Sequence, residues 1–445
     1  MTTLVVHPAT RALSGSVPVP GDTAIALRAI LFGALGPGET HVAGLPRTED
    51  IAALARCLRA LGVGIREASP SDWVVGGVGL RGLRAPDALL DCGDSVAAAS
   101  LLAGVLAAQR FASCITGSGA LAGLDLTSLV APLRARGAVV ASSGTPRAES
   151  IRVPLAIGPL AEGRELSPLE HTSEVADPRT KDALLLSGLY ADGPTIFREP
   201  NVSADHTERI LAALDAPIRA IGPVVRVDPA GWSGAWPAFR ATVPGDRAAA
   251  AYLVAAAQLV PGSRVTVRGV ATNPTCSGFL EIARDLGAGL HVEPHGEVLG
   301  EPIADLVAWC AEPRAATIGG EPVARAGDAL PAACAIAAVA RGTTRIRVLE
   351  DASTTLDAAA TVLRAFGVEC TAGADGLAIR GRGASLAPAD VDGGGDPYIA
   401  MAASVLALAA SGPSRIRNAG VIAARFPKFV ATLRALGTSI DVQAP

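Results

Sequence analysis

The chain has 445 residues, half of them apolar, and a formal net charge of −4. This amount of apolar material supports more than one hydrophobic core and indicates at least two domains. The slightly acidic balance, with three tyrosines, eight phenylalanines and no basic stripe, argues against a nucleic-acid partner.

In chain order, the sequence opens without a basic leader followed by an apolar segment, so we expect a cytoplasmic protein. The three longest apolar runs are shorter than the roughly 18 to 20 residues of a membrane span, so they predict buried helices and no membrane partner. These runs begin at Ser95, Ala248 and Ile399. The seven cysteines never form CxxC pairs and the six histidines do not cluster. We therefore predict no disulfide framework, no metal site and no cofactor.

A valine-proline-glycine-aspartate segment occurs twice, at 19–22 and at 243–246, and an alanine-rich run that favours a helix follows each copy. A second repeat, LRALGVGI, ends at Ile65. Its five further variants end at Val140, Ile218, Leu290, Cys370 and Ile440. Each copy resembles the last turn of an amphipathic helix, usually closed by glycine and followed by a β-prone run.

The six copies recur at roughly 70 to 80 residues, which is longer than a solenoid repeat and leaves room for two helices and several strands. The sequence therefore predicts an α/β fold built from six similar units in two groups of three. The VPGD segments lie near the junctions between the groups. We expect one domain over 22–242 and a second that combines 1–21 with 243–445.

Several long segments resemble one family. VPGDTAIALRA is similar to VPGDKSISHRA, LDCGDSVAAASLLAG to LDCGNSGTTMRLLAG, and SADHTERIL to SRDHTERML. Further collinear matches are KDALLLSGLYADG, NPTCSG and DPYIAMAASVLAL. On these motifs the chain resembles the 5-enolpyruvylshikimate-3-phosphate synthases, the enolpyruvyl transferases of the shikimate pathway.

The resemblance implies two domains, each an inside-out α/β barrel of three βαβαββ units, with the active site in the cleft between them. The twin VPGD segments would correspond to the two crossings between the domains. Members of the family are commonly monomeric, so we expect a monomer.

Several cationic and acidic positions of the family are changed in this chain. Neutral residues stand where the resemblance implies charged contacts to phosphoenolpyruvate or to the substrate phosphate: Thr23, Leu124, Thr355, Ala358 and Tyr398. A neutral side chain cannot replace a charge-assisted bond to a phosphate, which contributes about 1.5 to 3 kcal/mol. We therefore expect phosphoenolpyruvate binding to be lost.

Other positions match the family. By resemblance, Arg28 would bind the shikimate carboxylate, Asp328 would contact ring hydroxyls or accept a proton, and Ser203 would contact a phosphate. Two alternatives from the residues alone stay open. Arg28 could be a surface arginine that caps the following helix, and Asp328 could be the N-cap of the helix after it.

Two newly charged residues, Asp177 and Arg179, occupy a region that is serine and glutamine in the family. Since a buried charge is retained only when it is paired, either they pair with each other or one of them faces the ligand. Glu350 is a further candidate for substrate binding. Thr23 is another, because its hydroxyl could still contact the substrate. The roles of Lys181, His206 and Lys428 are left open.

These residues suggest three functions. The first is an enzyme of the lyase type that dehydrates unphosphorylated shikimate or a related carboxylated cyclic polyol in specialised metabolism, with Asp328 as the base. The second is enolpyruvyl transfer in the shikimate pathway, with other residues compensating for the changed ones. The third is an inactive ligand-binding protein.

Overall fold

The structure, a computed structural model, describes residues 2–142, 150–347, 353–373, 375–383 and 386–443. Glu350 lies outside the described residues. The chain divides into two compact units. The first unit comprises Gly21–Val243 with Val298–Glu301, and the second comprises Met1–Pro20, Pro244–Glu297 and Pro302–Pro445.

The second unit receives the first two strands of the chain, β1 (Thr3–Val6) and β2 (Ser14–Pro18). The helices and strands of the first unit follow: α1 (Thr23–Leu35), β3 (Pro37–Ala43), α2 (Glu49–Ala60), β4 (Gly64–Ser69), β5 (Asp72–Val78), β6 (Leu90–Asp91), α3 (Val96–Leu106), β7 (Ser113–Thr116), α4 (Gly119–Gly123), α5 (Thr127–Ala135), β8 (Val140–Ser142), β9 (Leu155–Ile157), β10 (Leu169–Thr172), α6 (Pro178–Gly188), β11 (Thr195–Arg198), α7 (His206–Ala213), β12 (Ile218–Ile221), β13 (Val224–Val227) and β14 (Arg240–Thr242).

The chain then completes the second unit with α8 (Arg247–Leu259), β15 (Arg264–Ala271), α9 (Gly278–Asp285), β16 (Gly289–Val298), β17 (Glu301–Trp309), β18 (Thr317–Ile318), α10 (Glu321–Ala326), α11 (Leu330–Val339), β19 (Thr343–Arg347), α12 (Ser353–Ala365), β20 (Glu369–Gly373), β21 (Gly376–Arg380), β22 (Asp390–Asp392), α13 (Pro397–Ala407), β23 (Ser414–Arg417), α14 (Phe429–Ala435) and β24 (Ile440–Gln443). Short 3-10 helices occupy Gly327–Ala329 and Ala419–Ala424.

Each unit contains three four-stranded sheets. In the first unit their orders are β14-β3-β5-β4, β6-β7-β9-β8 and β10-β11-β13-β12. In the second they are β16-β17-β15-β2, β18-β19-β21-β20 and β22-β23-β1-β24. The sheets share one pairing pattern, in which a strand has a parallel neighbour on one side and an antiparallel neighbour on the other. For example, β7 pairs in parallel with β6 and antiparallel with β9. The predicted α/β fold of six similar units, three in each half, is confirmed.

The two VPGD segments start helices in the same way. Asp22 caps α1 by accepting hydrogen bonds from the backbone N–H groups of Ala24 and Ile25. Asp246 caps α8 with a bond from Ala249, and its φ and ψ of −64° and 123° nearly equal the −67° and 122° of Asp22. A side-chain acceptor at this position satisfies backbone donors that the first helical turn leaves free.

The six predicted helix ends share one backbone feature. A residue with positive φ follows the helix in every copy: Gly62, Gly137, Asp215, Gly287, Gly367 and Gly437. Their φ values run from 57° at Asp215 to 111° at Gly437, the left-handed region that ends a helix and that glycine enters without strain. The repeat therefore predicted both the helix ends and their backbone conformation.

Helices α3 and α6 of the first unit approach closely. A Cβ atom at Gly104 would lie only 2.5 Å from the backbone oxygen of Ala183. Glycine at 104 is therefore required for the two helix backbones to meet at this distance. This contact fixes α6, which carries Arg179, Lys181 and Asp182.

One helical stretch, Glu321–Val339, has 19 residues and enough apolar character to cross a membrane by length and composition. The sequence analysis expected every apolar run to be too short for this. In the structure 72% of the stretch is buried inside the protein, as in the core helix of a folded domain.

Candidate active site

Arg28 lies inside α1 and only 5% of it is exposed. Its Nε donates to Thr207 Oγ1 over 2.8 Å, its Nη1 donates to the Ala24 carbonyl over 2.8 Å, and its Nη2 pairs with Asp182. Thr207 Oγ1 also donates to Asp182 Oδ1, over 2.6 Å. The alternative of a surface arginine that caps a helix is therefore wrong. Within the part of the chain that the structure describes, three of the five guanidinium N–H groups have partners and two remain for another acceptor.

The predicted pairing of Asp177 with Arg179 is present at the start of α6. Asp177 caps this helix, and its Oδ1 accepts bonds from the backbone N and the side-chain Nε of Arg179, at 3.1 and 2.9 Å. Burial would raise the pKa of Asp177, but its bonds to Arg179 and Thr180 outweigh burial and lower the pKa. Asp177 is 8% exposed and Arg179 is 47% exposed, so the guanidinium is held at the surface by a buried carboxylate.

Lys181, one turn further along α6, is completely buried. Its Nζ donates to Glu199 Oε1 over 3.0 Å and to the Ser203 carbonyl over 3.2 Å, and it lies 2.9 Å from Glu208 Oε1. Burial disfavours the charge of Lys181, but Glu208 and Glu199 outweigh burial and raise its pKa. Burial also raises the pKa of Glu208 to about 7, against the opposing effect of Lys181. One cation thus serves two carboxyl groups, and Glu208 keeps its proton up to a higher pH than an ordinary glutamate does.

Ser203 lies beside this cluster and is 8% exposed. Its backbone N donates to Glu199 Oε1 over 2.9 Å, but its hydroxyl has no hydrogen-bond partner among the residues that the structure describes. A buried hydroxyl without a partner costs free energy, so an acceptor or donor from a ligand would stabilise it. Ser203 is also the serine that the resemblance assigns to substrate binding.

His206, left open by the sequence, starts α7 and is 2% exposed. Its Nδ1 lies 2.7 Å from Oε1 of the fully buried Glu301. The pair joins α7 to the segment Val298–Glu301, which belongs to the same unit. This buried contact gives His206 a structural role.

Asp328 belongs to the second unit and is exposed in the 3-10 turn Gly327–Ala329. Helix α11 has Ala329 as its N-cap and no side-chain capping bond, so the alternative of a helix cap is wrong for Asp328. Its backbone carbonyl accepts a 2.8 Å bond from the hydroxyl of Tyr252. The rings of Tyr252 and Tyr398 stack with their centroids 6.3 Å apart. Burial raises the pKa of Tyr398, and the neighbouring Asp328 carboxylate raises it further.

The residues that replace charged groups of the family are half-buried: Thr23, Leu124, Thr355, Ala358 and Tyr398. Thr23 is the first residue of α1, and Leu124 follows α4. Lys428, whose role the sequence left open, is exposed at the start of α14.

Three charged residues of this region were not predicted from the sequence: Asp182, Glu199 and Glu208. Two of them bond Lys181 and the third neutralises Arg28. A signal was available in PRTKDALLLSG, where charged residues immediately precede a fully buried apolar run. Since buried charges need partners, this pattern predicts an ion pair, although it does not identify the partner.

No group of three or more His, Cys, Asp or Glu side chains within the described residues is arranged to hold a metal ion. The chemical groups that these residues offer are therefore hydroxyls, carboxylates, guanidinium groups and the phenol of Tyr398.

The comparisons with known proteins agree with this description. The family model of EPSP synthase (3-phosphoshikimate 1-carboxyvinyltransferase) matches residues 8–433. The 3-phosphoshikimate 1-carboxyvinyltransferase of Desulforamulus reducens is 38% identical, with 97% of this chain and 98% of the relative covered. That of Geobacter sulfurreducens is 39% identical, with 97% and 99% covered.

Solved structures show the same fold. The EPSP synthase of Acinetobacter baumannii superposes with a TM-score of 0.91 at 31% identity, covering all of both chains. The enolpyruvyl transferase NikO of Streptomyces tendae superposes with a TM-score of 0.75 at 18% identity, covering 100% of this chain and 99% of its own, a likeness of fold alone. The resemblance seen in the sequence motifs is thus confirmed, and the chain belongs to the EPSP synthase family.

Proposed function

We propose that the protein is an enzyme that acts on a carboxylated, hydroxylated six-membered ring, and that its reaction is carboxyvinyl transfer from phosphoenolpyruvate to 3-phosphoshikimate. The observation that carries this proposal is the identity of 38 to 39% to two named transferases over 97% of the chain. The dehydration hypothesis, drawn from the changed cationic positions, becomes the second candidate.

Groups in the first unit support binding of an anionic ring. The Ser203 hydroxyl, which has no partner among the described residues, can donate to a ligand oxygen. Arg28 has two N–H groups left for a carboxylate, although Asp182 already neutralises its charge. Arg179 has an exposed guanidinium, whose planar fork suits a carboxylate or phosphate. Under this proposal Ser203, Arg28 and Arg179 bind the ring substrate, while Asp177 positions Arg179.

A cation of the second unit, Arg425, acts on the Tyr398 position, and it also has an interaction of its own within the protein. Tyr398 stands where the family carries an arginine. The positive charge of Arg425 acts on the Tyr398 hydroxyl and partly opposes the rise in the pKa of Tyr398. Arg425 is half-buried, so water screens its charge less than that of an exposed arginine. In this mechanism Asp328 takes the proton of the ring hydroxyl as its oxygen bonds to C2 of phosphoenolpyruvate and C3 gains a proton. Phosphate then leaves from C2 as C3 loses a proton again, which restores the carbon–carbon double bond.

A specific observation supports the second candidate, dehydration of unphosphorylated shikimate. Asp328 is exposed, and burial together with this carboxylate raises the pKa of the neighbouring Tyr398, so the phenol stays protonated over a wider pH range than an ordinary tyrosine. In an elimination, Asp328 would take a ring proton while the C–H electron pair moves into the ring and the allylic C–O bond breaks. The leaving hydroxide would take the proton that Asp328 had removed and depart as water, with Tyr398 donating a hydrogen bond to it, and Asp328 would return to its carboxylate form.

One experiment with two reactions separates the candidates. The purified protein is incubated with 3-phosphoshikimate and phosphoenolpyruvate while phosphate release is measured, and separately with shikimate alone while mass spectrometry follows loss of one water. Asp328→Asn is the control variant in both. Phosphate release that depends on both substrates supports transfer. Loss of water without phosphate release supports dehydration and contradicts transfer. If neither phosphate nor the dehydrated product forms, both candidates are contradicted.

A further inference from the structure

Two buried thiols of the first unit lie in contact. Cys57 is on α2, and Cys92 follows β6. Their Sγ atoms are 4.0 Å apart, and the residues are 2% and 0% exposed. A disulfide needs a separation of about 2.05 Å, so the sulfurs have to approach each other by about 2 Å. Rotation of both side chains, with a small movement of the segment after β6, can provide this.

The surroundings make the two thiols chemically different. The contact with Cys92 lowers the pKa of Cys57, an effect that outweighs burial, and the nearby Arg56 lowers it further. Cys57 Sγ also lies 3.5 Å from the Asp91 carbonyl oxygen, to which the thiol donates. The contact with Cys57 and burial raise the pKa of Cys92. Since the thiolate is the reactive form, these opposite directions favour Cys57 as the attacking sulfur and Cys92 as the sulfur that resolves the intermediate.

We propose that Cys57 and Cys92 are a reversible oxidation site that closes to an intramolecular disulfide when the protein meets a peroxide. In the first step the Cys57 thiolate attacks one peroxide oxygen and the O–O bond breaks, giving a sulfenic acid and hydroxide. In the second step Cys92 attacks the sulfenic sulfur and the S–O bond breaks. Together the two thiols lose two electrons and two protons, and hydrogen peroxide is reduced to two molecules of water.

The segment next to Cys92 connects this chemistry to the start of α3. Ser95 caps α3, and its Oγ donates to Asp50 Oδ1 of α2 over 2.6 Å. The carbonyl of Gly93 accepts a 2.7 Å bond from the backbone N of Ser118. Closing the disulfide pulls the segment between β6 and α3 toward α2 and strains these bonds. Oxidation is therefore expected to slow any activity that depends on this segment, and reduction to restore it.

The test counts free thiols in the full-length protein. Reduced protein is treated with a small excess of hydrogen peroxide, freed of the oxidant, unfolded and alkylated with N-ethylmaleimide. The chain has seven cysteines, so reduced protein takes up seven adducts and oxidised protein should take up five, two fewer. Digestion without reductant should release one cross-linked pair of peptides containing Cys57 and Cys92, and dithiothreitol should return the count to seven.

Cys57→Ser and Cys92→Ser should each abolish the cross-linked pair, whereas Cys114→Ser, a half-buried thiol of the same unit, should leave it unchanged. Peptide mapping of the wild-type protein decides the question even if a variant does not fold. The proposal is overturned if both Cys57 and Cys92 are still alkylated after peroxide treatment, or if their disulfides join different molecules.

Discussion

Glu208→Gln tests the buried cluster around Lys181. Glu208 is 5% exposed, and burial raises its pKa from 4.5 to about 7 in the folded protein. In the unfolded chain the carboxyl has its ordinary pKa near 4.5. Between these two pH values the folded state therefore holds a proton that the unfolded state has released.

This difference fixes the sign and the size of the effect. The free energy of unfolding must fall as the pH rises from 4.5 to about 7, because the folded state binds more protons in this window, and Glu208 adds no slope outside it. Each pKa unit corresponds to about 1.4 kcal/mol, so the full contribution is about 3 kcal/mol. The glutamine of the variant does not titrate. From pH 5 to pH 8 the wild-type protein should therefore lose about 2 to 3 kcal/mol more stability than the variant.

Urea unfolding at pH 5 and pH 8, at constant ionic strength, measures this difference. Tryptophan fluorescence is suitable because Trp73, Trp232 and Trp236 lie in the first unit. Glu170→Gln is the matched control, since Glu170 belongs to the same unit but is 62% exposed in its pair with Arg198. The control should keep the wild-type pH dependence. If Glu208→Gln keeps it as well, the argument that Glu208 is protonated in the folded state is refuted.

Three further predictions concern single contacts. Lys181→Met leaves two buried carboxyl groups without their cation and should destabilise the first unit by about 3 to 5 kcal/mol. The urea midpoint of unfolding measures this loss, and an unchanged midpoint would contradict the ion-pair network. Arg28→Ala should destabilise by a similar amount because Asp182 loses its partner, and Asp182→Ser in the same chain should recover much of this loss. Titration calorimetry then compares substrate binding by the wild-type protein and by the stable Arg28→Ala, Asp182→Ser double variant. Weaker binding by the double variant would assign a ligand contact to Arg28. Asp328→Asn should lower kcat by about a hundredfold with KM nearly unchanged and no shift in Tm; equal losses in kcat and affinity would show that Asp328 only orients the substrate.

The sequence predicted the features that depend on local chain geometry. Gly62 and Gly437 end helices because a positive φ there favours glycine, and Asp22 caps a helix through neighbouring backbone groups. These signals lie within a few residues of each other, so one sequence is enough to read them.

The contacts that depend on packing between helices could not be predicted. Arg28 meets Asp182 across 154 positions of the chain, and Cys57 meets Cys92 across 35. Nothing near these residues in the sequence identifies their partners. The resemblance gave Arg28 a ligand-binding role from its position alone, whereas the structure shows that an internal carboxylate already occupies part of its guanidinium.

The close approach at Gly104 has a consequence for engineering. A laboratory that evolves the binding properties of this protein would randomise the start of α6, because Asp177 caps this helix and Arg179 and Lys181 lie on it. A Cβ atom at Gly104 would push against the backbone of Ala183, whose atoms cannot rotate away as a side chain can. Any replacement of this glycine therefore displaces the whole helix and moves all three side chains together. A library should keep Gly104 constant, because a change there would hide the effect of every substitution on α6.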